Sequence, residues 1–365
     1  MTLTYHDVLA FVQLIVPMMR LTRQRNLAWS ILGILRVRDG HLTVSEMARA
    51  IESKCDHWHN FKRLWRFVSS EKWAPATYFP SILSFVLARF RVGHYLPVII
   101  DQSTLAGKWE VLWASIPFRG RALPIYFDMF RHQDIRESDE LSQNLLEDQF
   151  VQRIAALLPR ELNPVLLFDR GYARVPLMQL LDTLAVQWVI RVRKGTWVRH
   201  NGYAGPLADV PIRRGGLVWW SKVRYHKDAQ YGANLAVVLN ATATEPWFLL
   251  TNLHRAATAV RWYERRFRCE ELFRDIKDQL HLETIRVKHM ERARRILFCL
   301  VIAYLALTLI GVACHRAGQA RKVCKDKTSA AWMALRLLAM PWILKPRLIR
   351  RALFIYRWSL AYESG

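Results

Sequence analysis

The sequence predicts an α/β fold in which a central mixed sheet is flanked by helices. Residues 1–93 show mostly helical spacing of apolar residues, and residues 256–365 return to that spacing. Between them, short apolar runs bounded by Pro, Gly or acidic residues are typical of buried strands. With 52% apolar residues in a chain of 365, there is enough apolar material for a large core and for more than one domain.

The chain is strongly basic, and its cations are not confined to one segment. It has 54 Lys and Arg against 30 Asp and Glu, a formal net charge of +24 at pH 7. Cations that neutralise phosphates release condensed counterions, so this charge indicates nucleic acid as the first partner and an anionic membrane surface as the second. The five cysteines lack Cys-x-x-Cys spacing, which argues against a disulfide framework or a zinc ribbon and indicates a reducing cytoplasm.

Two short helices are predicted near the N-terminus. Thr43 and Glu46 match a capping box that would begin the first helix. The second helix would start at His57 and carry an exposed basic side and an apolar face. The cations are Lys62, Arg63 and Arg66, and the apolar residues are Phe61, Leu64, Trp65 and Val68. This pattern is typical of a helix-turn-helix DNA-binding module, and a plain helical bundle with a solvated basic face is the alternative interpretation.

Two acidic residues each follow a short apolar run. Asp101 comes after Leu96–Ile100, and Asp169 comes after Val165–Phe168. Ligands gather at the carboxyl ends of strands in an open sheet, so these carboxylates are candidate catalytic groups. The alternative interpretation is that each acid caps a helix or lies in a loop.

Three further segments complete the predicted elements. Residues 110–118 and 122–130 predict a β-hairpin, and residues 195–253, rich in aromatic and β-branched side chains, predict a β-rich insertion. Residues 296–314 contain no charged side chain and are long enough to span a bilayer. Basic residues flank that segment on both sides, and we favour a buried core helix over a membrane span.

A third acid lies in a segment predicted to be one continuous helix. Along an ideal helix, Arg266, Glu270 and Lys277 lie about 60°, 20° and 40° from Tyr263, so all four share one narrow face. An acid flanked by a phenol and two cations suits a groove that contains phosphates. There the acid would hold a divalent metal ion, and the other groups would bind the strand being cut.

The spacing Tyr-x2-Arg-x3-Glu-x6-Lys of these residues resembles the signature of one branch of bacterial insertion-sequence transposases, the DDE type with a ribonuclease-H-like catalytic core. Two further blocks are similar to those of this family. Asp101-Gln102-Ser103 resembles its first block, with Ser where Thr is commoner. Asp169-Arg170-Gly171-Tyr172 resembles its second block.

The resemblance implies a catalytic core that is interrupted by the insertion and flanked by helical parts. The implied division of the chain is a helical N-terminal DNA-binding domain (1–93), the first part of the ribonuclease-H-like core (94–194), the β-rich insertion (195–253), the rest of the core with the Glu helix (254–290) and a helical C-terminal region (291–365).

The resemblance also implies a site and a reaction. Asp101, Asp169 and Glu270 would be the catalytic residues and would hold two Mg2+ ions about 4 Å apart, with Mn2+ able to substitute. The residues expected to bind DNA are Tyr263, Arg266, Lys277, Arg170, Lys62, Arg63 and Arg66. The reaction would be cleavage of double-stranded DNA at the terminal inverted repeats, followed by strand transfer to target DNA, with a homodimer in the synaptic complex.

The implied location is the bacterial cytoplasm, at the nucleoid. A tryptophan of the insertion, Trp219, Trp220 or Trp247, would stack on a flipped base, and packing within the sheet is the alternative for each. Two other classes of function stay open. A non-catalytic DNA-binding protein derived from a transposase would keep the charge without needing the acids, and a membrane-associated basic protein would use residues 296–314 as a span.

Overall fold

The computed structural model describes residues 3–37, 41–91, 93–319, 329–340, 342–356 and 358–359. Its N-terminal part is helical, as predicted. The helices are α1 (Tyr5–Ile15), α2 (Leu21–Arg36), α3 (Val44–Ala50), α4 (His57–Ser69) and α5 (Phe79–Arg89).

Side-chain caps begin several of these helices. Thr4 and Asp7 form a complete capping box at the start of α1. Thr43 accepts a hydrogen bond from the Glu46 backbone N at 3.1 Å at the start of α3, as predicted. The Glu46 carboxylate pairs with Arg49, so only the Thr43 half of the predicted capping box forms.

The remainder of the chain alternates strands and helices and then becomes helical. The strands are β1 (Phe90–Arg91), β2 (Leu96–Leu105), β3 (Trp109–Phe118), β4 (Arg121–Phe130), β5 (Pro164–Phe168), β6 (Gln187–Arg191), β7 (Trp197–His200), β8 (Tyr203–Pro206), β9 (Gly216–Tyr225), β10 (Tyr231–Leu239), β11 (Trp247–Thr251) and β12 (Trp358–Ser359). The helices are α6 (His132–Arg136), α7 (Gln143–Leu157), α8 (Val175–Thr183), α9 (Ala256–Tyr263), α10 (Arg268–Arg274), α11 (Met290–Arg316), α12 (Ala330–Leu338) and α13 (Pro346–Arg350). The predicted hairpin is confirmed by β3 and β4.

The strands β2 to β11 form one mixed sheet in the order β4-β3-β2-β5-β6-β11-β10-β9-β7-β8. β2, β5 and β6 are parallel to one another, and the other neighbouring strands are antiparallel. The strands from the segment predicted as an insertion continue this sheet, because β11 pairs with β6. The observed architecture is a mixed α/β fold, consistent with the fold class predicted from the sequence.

Helices cover both faces of the sheet. β3 is buried at all ten of its positions, which requires cover on each side. Its neighbours Trp113 and Ala114 point to opposite faces and lie across from Phe127 and Tyr126 of β4. Phe273 at the end of α10 contacts the Trp113 ring on one face, whereas helix α7 contacts the Tyr126 ring on the other.

The apolar segment 296–314 forms most of α11, and all of its residues are buried. α11 is the one helix in the described part of the chain that is long and apolar enough to cross a membrane. Surrounding helices and β4 bury it, and the buried Arg295 at its start donates to the Val68 and Trp73 carbonyl oxygens at 3.2 Å each. The protein core therefore accounts for its apolar composition.

The close approach of α11 to α12 depends on a glycine. A methyl group added at Gly311 would lie 1.9 Å from the Ala330 carbonyl oxygen. We predict that Gly311→Ala forces the two helices apart and lowers the free energy of unfolding by about 1–3 kcal/mol, as overpacked cores do.

Gly195→Ala is the matched control, because nothing lies within 4 Å of its added Cβ. Urea-induced unfolding followed by circular dichroism measures both variants. Equal midpoints for the two variants would contradict the close contact between α11 and α12.

Candidate active site

Asp101 and Asp169 lie side by side where a parallel ladder ends. The last paired residues of β2 and β5 are Ile100 and Phe168, and the two acids come next in the chain. Neighbouring strands are about 4.8 Å apart, so the two carboxylates share one neighbourhood. β2 continues to Leu105, so Asp101 lies within its strand and the prediction of a strand-end position is wrong for this residue.

Asp101 projects from the face of the sheet that α10 covers. It lies directly across from Trp113 on β3, and directly opposite residues place their side chains on the same face. Trp113 contacts Phe273 of α10, with ring centroids 5.9 Å apart. Ser103, two residues beyond Asp101, accepts a hydrogen bond from the Trp113 indole at 3.1 Å, which gives the predicted Asp-Gln-Ser block a packing role.

The segment predicted as one continuous helix is interrupted. α9 ends at Tyr263, residues 264–267 form a turn, and α10 runs to Arg274 before a π-helical stretch at Asp275–Gln279. Backbone bonds in the turn join residues three apart, as in a 3₁₀ helix, where side chains at i and i+3 eclipse. The prediction that Tyr263, Arg266, Glu270 and Lys277 share one helix face is therefore wrong. The Arg266 guanidinium still lies over the Tyr263 ring, 5.9 Å from its centroid.

The turn places Arg266 between two of the predicted catalytic acids. Its Nη1 donates to Asp101 Oδ2 at 2.9 Å, and its Nη2 donates to Glu270 Oε1 at 3.1 Å. Asp169 also lies within electrostatic reach of this guanidinium. Of the three acids predicted from distant parts of the chain, two thus contact one internal cation and the third lies near it.

Arg266 and the two acids that it bridges differ in their exposure to solvent. The side chains of Arg266, Asp101 and Glu270 are 5%, 17% and 55% exposed. Burial raises the pKa of Asp101 above its ordinary value, and the Arg266 guanidinium opposes this effect. The Asp101 pair is therefore an internal ion pair, whereas the Glu270 carboxylate lies at the edge of solvent.

Sequence reasoning missed Cys269, which is buried beside these groups. Its thiol donates to Asp101 Oδ2 at 2.7 Å. Burial, with a further contribution from the Asp101 charge, raises the pKa of the Cys269 thiol well above its usual range, so the thiol is protonated at neutral pH. A buried cysteine resembles any small apolar residue in a sequence, and its place between Arg266 and Glu270 was the available signal.

The other residues of the Tyr-Arg-Glu-Lys pattern lie at different depths. Tyr263 is fully buried, and burial raises its pKa to about 12. Lys277 Nζ donates to the Thr104 carbonyl oxygen at 3.0 Å and pairs with Glu283 at 2.7 Å. Arg170, next to Asp169, is exposed. Tyr263 and Arg266 are therefore buried, and the prediction that they lie on an open groove surface is wrong.

The predicted basic helix α4 presents stacked rings as well as cations. We use the name α4 surface for Trp58, Phe61, Lys62, Trp65, Arg66 and Arg292. The Phe61 ring lies between those of Trp58 and Trp65, with centroids 5.3 and 5.9 Å away. Lys62 and Arg66 are exposed, and Arg292 of α11 lies 4.5 Å from the Trp65 ring centroid.

Two predictions about α4 need correction. Trp65 is 37% exposed and does not belong to the buried face that Leu64 and Val68 form. Arg63 is half-buried, lies over the Trp29 ring at 5.5 Å and contacts Asn60, so it is held against the protein more than Lys62 is.

The three candidate tryptophans of the strand-rich segment have different surroundings. Trp247 packs between Tyr263 and Phe267, with ring centroids 5.3 and 5.4 Å away. Trp220 stacks on His200, 5.1 Å away, and Trp219 packs against the core. Trp247 is therefore the one that contacts the turn carrying Arg266.

A buried polar cluster anchors α10 from its far end. Asp275 Oδ2 accepts hydrogen bonds from Arg121 at 3.0 Å, Ser329 at 2.7 Å and Tyr304 at 3.3 Å. Arg121, at the start of β4, also pairs with Glu271 at 3.1 Å. The cluster ties the helix that carries Glu270 to the β3–β4 hairpin, α11 and α12.

The carboxylates of Asp101, Asp169 and Glu270 suit a divalent cation, although in this structure Arg266 bridges Asp101 and Glu270. Carboxylate oxygens are the ligands that Mg2+ prefers, and the space between Asp101 and Glu270 already accommodates a positive charge. Within the described ranges, no three His, Cys, Asp or Glu side chains are close enough to form a metal cluster. Binding of a metal ion would require the acids to draw together.

The family model described as Transposase DDE domain matches residues 143–306. The matched range runs from α7 into α11 and contains Asp169 and Glu270, whereas Asp101 precedes it. No curated protein matches the chain. The family match supports a DDE transposase, and the mixed sheet with its flanking helices is consistent with it.

The Asp275 cluster gives a stability prediction. Arg121→Met leaves the Asp275 carboxylate buried without its cation, which should cost about 3–5 kcal/mol at neutral pH. Burial already raises the pKa of Asp275, and a carboxyl group with a raised pKa stabilises the fold when protonated and loses that contribution as the pH rises. The loss in Arg121→Met should therefore be smaller in acid than at neutral pH.

Arg274→Met is the control, because Arg274 is 63% exposed and pairs with the same Glu271 at 3.0 Å. Its cost should stay within about 1 kcal/mol. Thermal and urea unfolding at two pH values measure both variants. A pH-independent loss in Arg121→Met would exclude a role for its charge.

Proposed function

We propose that the chain is a DDE-type DNA transposase that binds the terminal inverted repeats of an insertion sequence and catalyses metal-dependent strand cleavage and strand transfer. The observation that carries this proposal is that Asp101 and Glu270, from distant parts of the chain, meet on the Arg266 guanidinium, with Asp169 within its electrostatic reach. The transposase-domain match over residues 143–306 supports the same class of reaction.

Asp101, Asp169 and Glu270 would hold the metal ions, two Mg2+ or Mn2+. When bound, such ions lower the pKa of an attacking water and stabilise charge on the departing 3′ oxygen. The protein fixes Asp101 most firmly, because its two oxygens accept from the Gln102 backbone N at 2.9 Å, from Cys269 and from Arg266. Glu270, at the edge of solvent, has the greatest freedom to move.

Two groups near the acids would orient the DNA strand. Arg170 is exposed beside Asp169 and would contact a phosphate. Lys277 is fixed by the Thr104 carbonyl and Glu283, and its ammonium group retains a third N–H for a phosphate oxygen. Tyr263 and Arg266 would support the DNA-contacting residues from inside the protein, because both side chains are buried.

The α4 surface would contact the duplex of the inverted repeat. Lys62 and Arg66 supply exposed positive charge, and the stacked Trp58, Phe61 and Trp65 supply a flat apolar strip beside it. Exposed indoles beside cations suit a polyanion whose sugars and bases offer apolar faces. Arg292 connects this surface to α11, just after the catalytic segment.

The proposal places the protein with DNA in the bacterial cytoplasm, as a homodimer in the synaptic complex. A non-catalytic DNA-binding protein would require neither the converging acids nor a metal, so a cleavage assay separates it from a transposase. A membrane-associated protein would need the apolar helix exposed to lipid, whereas all of residues 296–314 are buried.

We predict that Glu270→Gln abolishes Mg2+-dependent cleavage of DNA that carries the element's ends while leaving DNA binding nearly unchanged. The amide keeps the size of the side chain and removes the charge that would bind metal. Cleavage is measured on end-labelled duplexes, and binding by electrophoretic mobility shift.

Glu264→Gln is the control, since Glu264 is an exposed acid in the preceding turn and lies outside the cluster. It should cleave as the parent does. Parent-level cleavage by Glu270→Gln would reject the catalytic role of this residue.

The α4 surface gives a separate prediction about binding. Lys62→Ala and Arg66→Ala should each weaken binding and reduce the slope of log affinity against log salt by roughly one. Trp58→Ala should weaken binding without changing that slope, because it removes apolar contact and no charge. Fluorescence anisotropy at several salt concentrations measures all three.

Lys227→Ala, in the exposed turn between β9 and β10, is the charge-matched control and should retain the parent slope. Unchanged slopes for Lys62→Ala and Arg66→Ala would remove α4 from the DNA-binding surface.

A further inference from the structure

Arg266 makes two ion pairs of unequal strength. The guanidinium is 5% exposed and lies over the Tyr263 and Phe267 rings, 5.9 and 5.0 Å from their centroids. Its Nη1 arm meets Asp101, which is 17% exposed, and its Nη2 arm meets Glu270, which is 55% exposed. A buried charge pair is costly to break from one side, whereas an exposed pair contributes little.

We propose that Arg266 is a positioning residue that serves as an internal substitute for the metal ion: it holds Glu270 near Asp101 in the metal-free protein and releases Glu270 when a divalent cation binds. This inference rests on the proposed function, because it assumes that Glu270 is a metal ligand. It assigns Arg266 a role inside the protein, distinct from the phosphate contact that its sequence pattern suggests.

The electrostatics of the acids explain why a substitute is needed. Asp101, Asp169 and Glu270 carry like charges, and without a cation their repulsion would drive the mobile Glu270 outward. The Arg266 fork spans both carboxylates at 2.9 and 3.1 Å and so offsets that repulsion. A divalent cation supplies twice the charge at the same place, so it competes with the guanidinium for Glu270.

The unequal burial of the two carboxylates determines which contact of Arg266 breaks when a metal ion binds. Loss of the Asp101 contact would leave a buried carboxylate without its cation, which is the larger cost. Loss of the Glu270 contact frees a carboxylate that is 55% exposed and can be hydrated instead, which costs less. Arg266 therefore stays on Asp101, and Glu270 changes partner from the guanidinium to the metal.

The test measures Mn2+ affinity of the full chain without DNA, by titration calorimetry and by the electron paramagnetic resonance signal of free Mn2+. Arg266→Lys keeps one positive charge for Asp101 but replaces the planar fork, whose two separate nitrogens reach the two carboxylates, with a single nitrogen on a shorter side chain, so the contact with Glu270 is lost. Glu270 is then free before metal arrives, and Mn2+ should bind about 2–5-fold more tightly than to the parent, the equivalent of one exposed ion pair.

Arg274→Lys is the matched control, because it changes an exposed Arg–Glu pair on α10, the helix that carries Glu270, and should leave Mn2+ affinity unchanged. Equal Mn2+ affinity of Arg266→Lys and the parent would overturn the inference. Weaker binding by Arg266→Lys would overturn it as well, since Arg266 would then assist the metal instead of competing with it.

If Arg266→Lys does not fold, a second variant tests the same inference. Arg266→Met removes the charge and keeps the length of the chain, so its metal-free midpoint of thermal unfolding should fall, and Mn2+ should raise that midpoint more than it raises the parent's. An equal Mn2+-induced shift in the two proteins would contradict the substitution of metal for guanidinium.

Glu270→Gln separates this inference from the proposed function. If its Mn2+ affinity equals that of the parent, Glu270 is not a ligand, and the proposed metal site fails. If Glu270→Gln weakens Mn2+ binding while Arg266→Lys binds as the parent does, the metal site stands, and only the role of Arg266 is rejected.

Discussion

The site depends on one buried ion pair, between Asp101 on strand β2 and Arg266 in the turn before α10. The carboxylate is held where water is scarce, and the guanidinium compensates its charge across 165 residues of chain. This pair joins the parallel strands that carry the two aspartates to the helix that carries Glu270. Without it, the helix that carries Glu270 would still be held to the sheet by Arg121 and Lys277, but no ion pair would join it to Asp101.

The alternation of side chains along the strands explains why these groups meet. Asp101 and Trp113 share the face covered by α10, whereas the α7 side packs against Tyr126 on the opposite face. A shift of one residue in β2 would turn Asp101 away from Arg266. At the other end of α10, the Asp275 cluster fixes the helix axis, so the position of Glu270 is determined from both ends.

The sequence predicted the elements with strong periodicity and named three acids that the structure places near Arg266, but it did not predict how deeply their neighbours are buried. The runs before Asp101 and Asp169 predicted two buried strands correctly because buried strands have a plain apolar signature, whereas their parallel pairing is seen only in the structure. The spacing of Tyr263, Arg266, Glu270 and Lys277 predicts one ideal helix, and the tight turn at residues 264–267 contains no Gly or Pro that would indicate a break. The burial of Arg266 and the thiol contact of Cys269 depend on tertiary packing, which local patterns do not encode.

The proposed metal site is tested most directly by the position of a metal ion in crystals of the full chain grown with Mn2+. Anomalous diffraction would locate the ion independently of any assay of activity. If the three acids hold the ion, the peak lies within about 2.5 Å of carboxylate oxygens from Asp101, Asp169 and Glu270, and the Glu270 side chain has moved off Arg266. A peak elsewhere in the protein, or a fully occupied ion that leaves the Glu270 and Arg266 side chains paired, would contradict the proposed metal site.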